Sequence, residues 1–238
     1  MNIIISGTEN SCGKTVIVSG IASVMQSLGY KTSVYKPIQT GAIDRGKYLI
    51  SPDLAFVKIF DKYIKTHSSY MLKSKTIPAL GAAMENVDIS IEKIIQDYNS
   101  LAKKSDIVIT ELTGGLMTPL KKGFYAYEIP KVLKLPVLFV VTPSTNNLNN
   151  LLNEINTAKS TGLGIAGVIV NKYPPFSETP EIKAFPALIE EYSDAKVLGI
   201  VRNFKGKSVE ANVLFNEILN GIDIEEVFGM KIPKLNNN

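Results

Sequence analysis

Residues 7–15 read Gly-Thr-Glu-Asn-Ser-Cys-Gly-Lys-Thr. A short β-branched run, Ile3-Ile4-Ile5, stands just before them. Just after comes a helical stripe of Ile17, Val18, Ile21, Val24, Met25 and Leu28, with Gly29 as its stop. A strand, a glycine-bounded loop ending in Gly-Lys-Thr and a helix, in that order, are the context that marks a phosphate cradle. Gly7 and Gly13 let backbone N–H groups close around phosphate oxygens, and the helix N-terminus adds the positive end of its dipole. Lys14 reaches for the β- and γ-phosphates as a point charge, and Thr15 offers a hydroxyl to magnesium. The nucleotide-binding set is Gly7, Thr8, Glu9, Asn10, Ser11, Cys12, Gly13, Lys14 and Thr15, with Cys12 read as a small space-filler.

Outward from this loop, apolar runs recur at Thr32-Ser33-Val34-Tyr35, Ile107-Val108-Ile109, 137–141, 165–170 and 197–201. Most are continuous rather than alternating, which suits strands buried on both faces. Strand and helix in repeated alternation predict an α/β fold: a single-domain parallel β-sheet with helices on both faces, of the P-loop NTPase type. In such sheets ligands sit beyond the carboxyl ends of the strands. A helix is expected over 52–63 inside an otherwise irregular stretch, 41–89. The main domain is read as 1–204. Residues 205–238 form a helical extension and tail packed on it, with a stripe at Ala211, Leu214, Phe215, Ile218 and Leu219.

Composition narrows the chemistry. The 238 residues hold one Cys (Cys12) and one His (His67), so an internal disulfide and a Cys/His zinc site are both excluded. A histidine-assisted nucleophile has only His67 to draw on, and Lys65-Thr66-His67-Ser68 reads as a polar surface loop. The net charge of +4 is spread over pairs such as Lys103-Lys104 and Lys121-Lys122, without the interleaved aromatics of a nucleic-acid surface. No run approaches the ~20 apolar residues of a membrane span, and the N-terminus lacks a signal-peptide pattern. The expectation is a cytoplasmic protein that binds neither nucleic acid nor membrane.

Gly7 and Gly13 are separated by five residues rather than four, and in this the loop resembles that of the dethiobiotin synthetase family, Gly-Thr-Asp-x-x-x-Gly-Lys-Thr. Glu9 stands where that family commonly has Asp. The resemblance continues at Lys36-Pro37-Ile38-Gln39-Thr40-Gly41. On the residues alone Lys36 is a strand-end cation; the resemblance implies that it faces the reacting groups and that Thr40 contacts substrate. Ser51-Pro52-Asp53 reads as an N-cap, a first-position proline and a dipole-compensating acid. The resemblance instead makes Asp53 a magnesium ligand. Glu111 ends an apolar strand, where a carboxylate needs solvent or a cation, and a second-motif acid of phosphate-loop enzymes holds magnesium from this position. Gly114, Gly115, Thr118 and Pro119 match the family pattern after it, whereas Leu112 and Thr113 replace Gly and Ala and are expected to narrow the substrate site. Asn171 suits either a turn or, as the resemblance implies, a nucleobase contact, because a carboxamide donates and accepts. Pro174 stands where a guanine-binding Asn-Lys-x-Asp motif has its Asp. Asn149 matches the family's Asn in the helix after the fourth strand, Asn146 does not match its Gly, and Ile77-Pro78-Ala79 keeps the Pro but not the His of Ser-Pro-His.

What the resemblance implies is an ATP-dependent cyclo-ligase. Carbon dioxide adds to one amine of a vicinal diamine, diaminononanoate, and ATP phosphorylates the carbamate. The second amine then closes the ureido ring with loss of phosphate. Lys14, Lys36 and Thr15 are the catalytic candidates, and Thr40, Glu111, Gly114, Gly115 and Asn149 the substrate-binding ones. Thr15, Asp53 and Glu111 are the metal ligands, Mg and ATP the cofactors, and a homodimer the assembly. Two other readings share the fold. A cobyrinate-type amidoligase usually needs a nucleophilic Cys for its glutaminase, which Cys12 inside the loop cannot supply. A partitioning or regulatory switch ATPase has an extra Lys early in its loop, where Thr8, Glu9 and Asn10 stand here.

Overall fold

The computed structural model describes residues 2–174, 176–177, 179–204 and 210–232. Seven strands form one parallel sheet: β1 (Asn2–Gly7), β2 (Thr32–Tyr35), β3 (Lys65–His67), β4 (Ile107–Glu111), β5 (Val137–Val141), β6 (Ile165–Tyr173) and β7 (Val197–Arg202). Their order is β7-β6-β5-β1-β4-β2-β3, which puts β1 and its following loop in the middle. Every neighbouring pair is parallel. The helices are α1 (Lys14–Ser27), α2 (Pro52–Phe60), α3 (Pro78–Met84), α4 (Ile91–Ala102), α5 (Glu128–Leu133), α6 (Thr145–Thr161), α7 (Pro180–Ser193), α8 (Ala211–Gly221) and α9 (Ile224–Phe228).

The continuous apolar runs have a simple cause. Successive strand residues point to opposite faces, and both faces are covered. Ile3 and Ile5 enter one core with Ile17 and Ile21 of α1 and Leu214 and Ile218 of α8. Ile4 enters the other with Phe139, Leu151 and Ile155 of α6 and Phe185 and Ile189 of α7. The expected stripe over 211–219 is therefore packed on α1, and α9 adds Ile224 and Val227 to the same core. Asn236-Asn237-Asn238 lies outside the described residues. Among the described residues no helix is long and apolar enough to cross a membrane.

Two expectations are corrected. The helix over 52–63 ends at Phe60, because Asp61 turns extended (φ −150). Lys58 Nζ then takes the carbonyls of Lys62 and Ile64, which turns the chain back toward the sheet. His67 lies not in a loop but on β3, an edge strand in register with β2 through Val34 and Thr66. Its ring stacks on Tyr35 at 6.0 Å, and its Nε2 lies 3.2 Å from Asp97.

Asp97 gathers this edge. Burial alone raises its pKa, but hydrogen bonds from Lys93, Ser69 and His67 outweigh that and bring it down to about 2. A depressed carboxylate stabilises the fold above its unfolded pKa, and the benefit disappears as pH falls through the folded value. Asp97→Asn is therefore expected to cost about 1 kcal/mol at neutral pH, after allowance for solvent screening. The gap from wild type should close between pH 4 and pH 2, as read by urea melts. A gap that is constant across that range would detach Asp97 from the edge's stability.

Candidate active site

Gly13 starts α1 with φ +89, a left-handed conformation that glycine adopts without strain. A Cβ at this position would lie 2.2 Å from Asn171 Nδ2, so the loop and the end of β6 require glycine here twice over. The first turn of α1 holds no acid, which leaves its N–H groups and dipole to an anion. Lys14 is buried, and its Nζ donates to the Glu9 carbonyl at 2.9 Å, folding the side chain over its own loop. The Glu9 carboxylate accepts from Thr142 Oγ1 at 3.0 Å and from Asn147 Nδ2 at 3.4 Å. From the other side Asn171 Nδ2 donates to the Cys12 carbonyl at 2.8 Å, and Lys172 Nζ donates to the Ser11 carbonyl at 2.6 Å. Cys12 itself is fully buried in the core.

Strand register assembles the rest. Tyr35 pairs with Thr110, and Ile5 with Glu111, so Lys36 and Glu111 emerge side by side at the carboxyl ends of β2 and β4, next to the phosphate loop. Lys36 Nζ donates to Glu111 Oε1 at 2.7 Å and forms a second ion pair with Asp53. Thr15 Oγ1 donates to the same Glu111 oxygen at 2.9 Å. Asp53 reaches this cluster because Ser51 caps α2, accepting from Leu54 N at 3.1 Å while its hydroxyl donates to Gln39. The acid that the sequence alone reads as a dipole compensator is thus also a partner of Lys36. Burial by itself pushes the Lys36 ammonium toward deprotonation; the carboxylates of Glu111 and Asp53 outweigh it and hold its pKa above the ordinary lysine value. Lys36 and Glu111 are only 3% and 2% exposed, so this is a buried ion pair with Asp53 at its open side. Thr15, Asp53 and Glu111 present hydroxyl and carboxylate oxygens, the ligands a hard divalent cation takes.

A cavity of about 590 Å³ opens over this cluster, a size that suits a small-molecule site. Of the sequence candidates it gathers Asn10, Lys14, Thr15, Lys36, Thr40, Asp53, Glu111 and Gly114. It also takes in Gln39, Lys75 and Thr76, to which the sequence assigns no role, together with Thr113, expected to narrow the site, and the motif matches Pro78 and Thr118. Asn149 is exposed on α6 and is not in the cavity wall, and neither is Gly115. The expected narrowing by Leu112 and Thr113 is half corrected. Thr113 lines the cavity, its hydroxyl tied to the Ile38 carbonyl, but Leu112 points away and is 1% exposed in the core. Adjacent residues leaving a strand face opposite ways, so bulk at 112 fills the core and not the site.

Comparison with known proteins shows the family. A family model described as an AAA domain matches residues 1–208. The ATP-dependent dethiobiotin synthetase BioD of Caldicellulosiruptor saccharolyticus is 35% identical over 178 residues, covering 72% of this chain and 73% of that protein. The chain belongs to the dethiobiotin synthetase family. The Bacillus cereus (strain G9842) dethiobiotin synthetase BioD is 29% identical over 213 residues, 88% of this chain and 86% of its own. Among solved structures, the MinC:MinD cell division protein complex of Aquifex aeolicus aligns with TM-score 0.59 at 16% identity, covering 98% of this chain and 97% of that one. The septum site-determining protein MinD of Pyrococcus horikoshii, complexed with Mg-ADP, aligns with TM-score 0.52 at 16% identity, covering 99% and 91%. At such identities the likeness is one of fold, and the phosphate-loop α/β architecture read from the sequence stands.

Proposed function

We propose that this chain is an ATP-dependent dethiobiotin synthetase, a carbon–nitrogen ligase that closes the ureido ring of a diaminononanoate with carbon dioxide. The observation that carries this reading is the Lys36–Glu111–Asp53 cluster, set against the phosphate loop in the wall of one cavity. The reaction needs position and charge rather than a nucleophile, and the cavity supplies those. One amine adds to carbon dioxide and releases a proton, giving a carbamate. A carbamate oxygen takes the γ-phosphoryl of ATP, and ADP leaves. The second amine attacks the carbonyl carbon of the resulting carbamic–phosphoric anhydride, and phosphate and a proton depart. Lys14 and Lys36 flank the transferring group, and Thr15 supports them. Cys12 is buried, and the His67 side chain lies away from the cavity wall.

The loop Gly7, Thr8, Glu9, Asn10, Ser11, Cys12, Gly13, Lys14 and Thr15 is proposed to hold the triphosphate. Asn171 stays on the base side with its Nδ2 committed to Cys12, so its carbonyl oxygen is the group that accepts from an adenine amino group. Thr40, Glu111 and Gly114 are assigned to the diamine from the cavity. Gly115 supports that wall from behind, and Asn149 belongs to the substrate only across a homodimer interface. The site also fits magnesium. Glu111 Oε2 is buried without a hydrogen-bond partner, and Thr15 and Asp53 add oxygen ligands. Among the described residues no three His, Cys, Asp or Glu cluster to hold a metal by themselves, so phosphates and water complete the shell, as Mg²⁺ prefers. When bound, Mg²⁺ neutralises charge on the phosphates. We place the protein in the cytoplasm as a homodimer, with residues 205–238 as an extension of the 1–204 domain.

The expected result is ADP release at least ~100-fold above background only when diaminononanoate and bicarbonate are both present, with labelled carbon from bicarbonate in the product. Turnover indifferent to the diamine would overturn the reading.

A further inference from the structure

Glu154 sits in the third turn of α6 and belongs to no part of the site described so far. Its Oε2 accepts from Leu116 N at 2.7 Å. Its Oε1 presses on Gly115 so closely that a Cβ there would lie 2.2 Å away. The carboxylate is largely buried, and burial pushes its pKa above the ordinary glutamate range, while the Leu116 N–H and the Lys14 ammonium pull it partly back. A buried acid that receives a main-chain N–H at this cost is holding something in place.

What it holds is the turn after β4. Gly114 and Thr118 of that turn line the cavity together with Thr113. At its start the turn is tied by Leu112 N to the Ile5 carbonyl and by the Thr113 hydroxyl to the Ile38 carbonyl. From Gly114 onward its other backbone bonds run within itself or to the hairpin that follows: Thr118 N to the Gly115 carbonyl, Tyr127 N to the Leu116 carbonyl, Ala126 N to the Thr118 carbonyl. The bond to Glu154 comes from α6. The phosphate loop is braced separately, by Asn147, Asn171 and Lys172.

We infer that Glu154 is a positioning residue for the diamine side of the reaction: it clamps the turn at Gly115 and Leu116 and so fixes the cavity wall that Gly114 and Thr118 present to the amine substrate. The inference rests on the dethiobiotin synthetase reading and deepens it.

The test uses the full chain. Glu154→Ala leaves Leu116 N without its acceptor and opens space behind Gly115. It is expected to raise KM for diaminononanoate at least ~10-fold while KM for ATP stays within ~2-fold of wild type. Glu154→Gln keeps an acceptor oxygen and the shape, and should return KM for the diamine to within ~3-fold of wild type. Gly115→Ala displaces the carboxylate from the other side and should reproduce the Glu154→Ala pattern, a second route should that variant fold poorly. Backbone amide exchange of segment 112–118 in the unliganded protein should quicken in Glu154→Ala and stay near wild type in Glu154→Gln. An unchanged diamine KM, an equal rise in both KM values, or unchanged exchange at 112–118 overturns the inference. Diamine-independent turnover by the wild type overturns the functional reading instead, and the exchange measurement still decides whether Glu154 holds the turn.

Discussion

Lys36→Met is expected to reduce turnover by at least ~100-fold, the scale on which removal of a charge that stabilises a transition state is felt. Lys36 Nζ is 2.7 Å from Glu111 Oε1 and paired with Asp53, so it is the fixed positive charge nearest both acids of the site. The same substitution should also weaken the fold, because a buried carboxylate left without its cation costs roughly 3–5 kcal/mol. The two consequences are measured separately. In the wild type the Lys36 pKa is raised, so its pairing is fully present below the ordinary lysine value of 10.5 and is lost only as pH rises through the folded value. In the methionine variant Glu111 must carry its charge without that partner at 2% exposure. The variant's stability deficit is read by urea melts at fixed pH, and its turnover separately as ADP release. Lys36→Arg keeps a cation but exchanges a compact ammonium for a planar fork, and should recover stability better than rate. Unaltered turnover in Lys36→Met, measured as ADP release, would remove Lys36 from the reaction.

The parts of this site legible in the sequence lie where local chemistry is self-declaring. Gly-Thr-Glu-Asn-Ser-Cys-Gly-Lys-Thr between a strand and a helix announces its role, and Glu111 stands out as a charge at the end of an apolar run. The six predicted apolar runs all became strands of the central sheet because burial on both faces leaves no polar alternation to confuse them. The seventh strand, β3, is not legible because Lys65-Thr66-His67 is short, polar and at an edge, and its identity comes from pairing with β2 rather than from its own residues. The same holds for the cavity's missed members. Gln39 looks like an ordinary polar loop residue until the chain folds back and joins it to Ser51, the legible N-cap of α2. Lys75 reaches the cavity only because the segment before α3 is laid along it. Glu154, in Leu152-Asn153-Glu154-Ile155, reads as a solvated helix acid, and nothing within α6 signals that the Leu116 N–H approaches it from 38 residues away, with Gly115 beside it. Leu112 shows the reverse error. Its size was legible, but its direction, set by the alternation after Glu111, decides that the bulk goes to the core.

Glu111→Gln is the second large effect, and it isolates charge from shape. The glutamine keeps a carbonyl oxygen that can still accept from Thr15 and Lys36, so the volume at the end of β4 is unchanged. It loses the negative charge that Lys36 faces and replaces Oε2, the buried oxygen without a partner, with a donor. Lys36 is then left with Asp53 alone, whose side chain is 31% exposed and correspondingly screened. Turnover should fall by about 10²–10³, with the loss in kcat rather than in KM for the diamine. Binding of Mn²⁺ in the presence of ADP, followed by its paramagnetic signal, should weaken in parallel, because an amide oxygen is a poorer ligand for a hard cation than a carboxylate. Asp53→Asn, at the open side of the same cluster, should lose less of both, since water can replace part of what it supplies. Thr15→Val removes a hydroxyl without altering net charge and should leave Lys36 paired and the fold stable. If Glu111→Gln kept kcat within a few-fold of wild type while Mn²⁺ affinity fell, the acid would serve to hold a cation and not to organise the reacting charges. If both were unchanged, the assignment of Glu111 would fail, and with it the reason for Lys36 to be buried beside it.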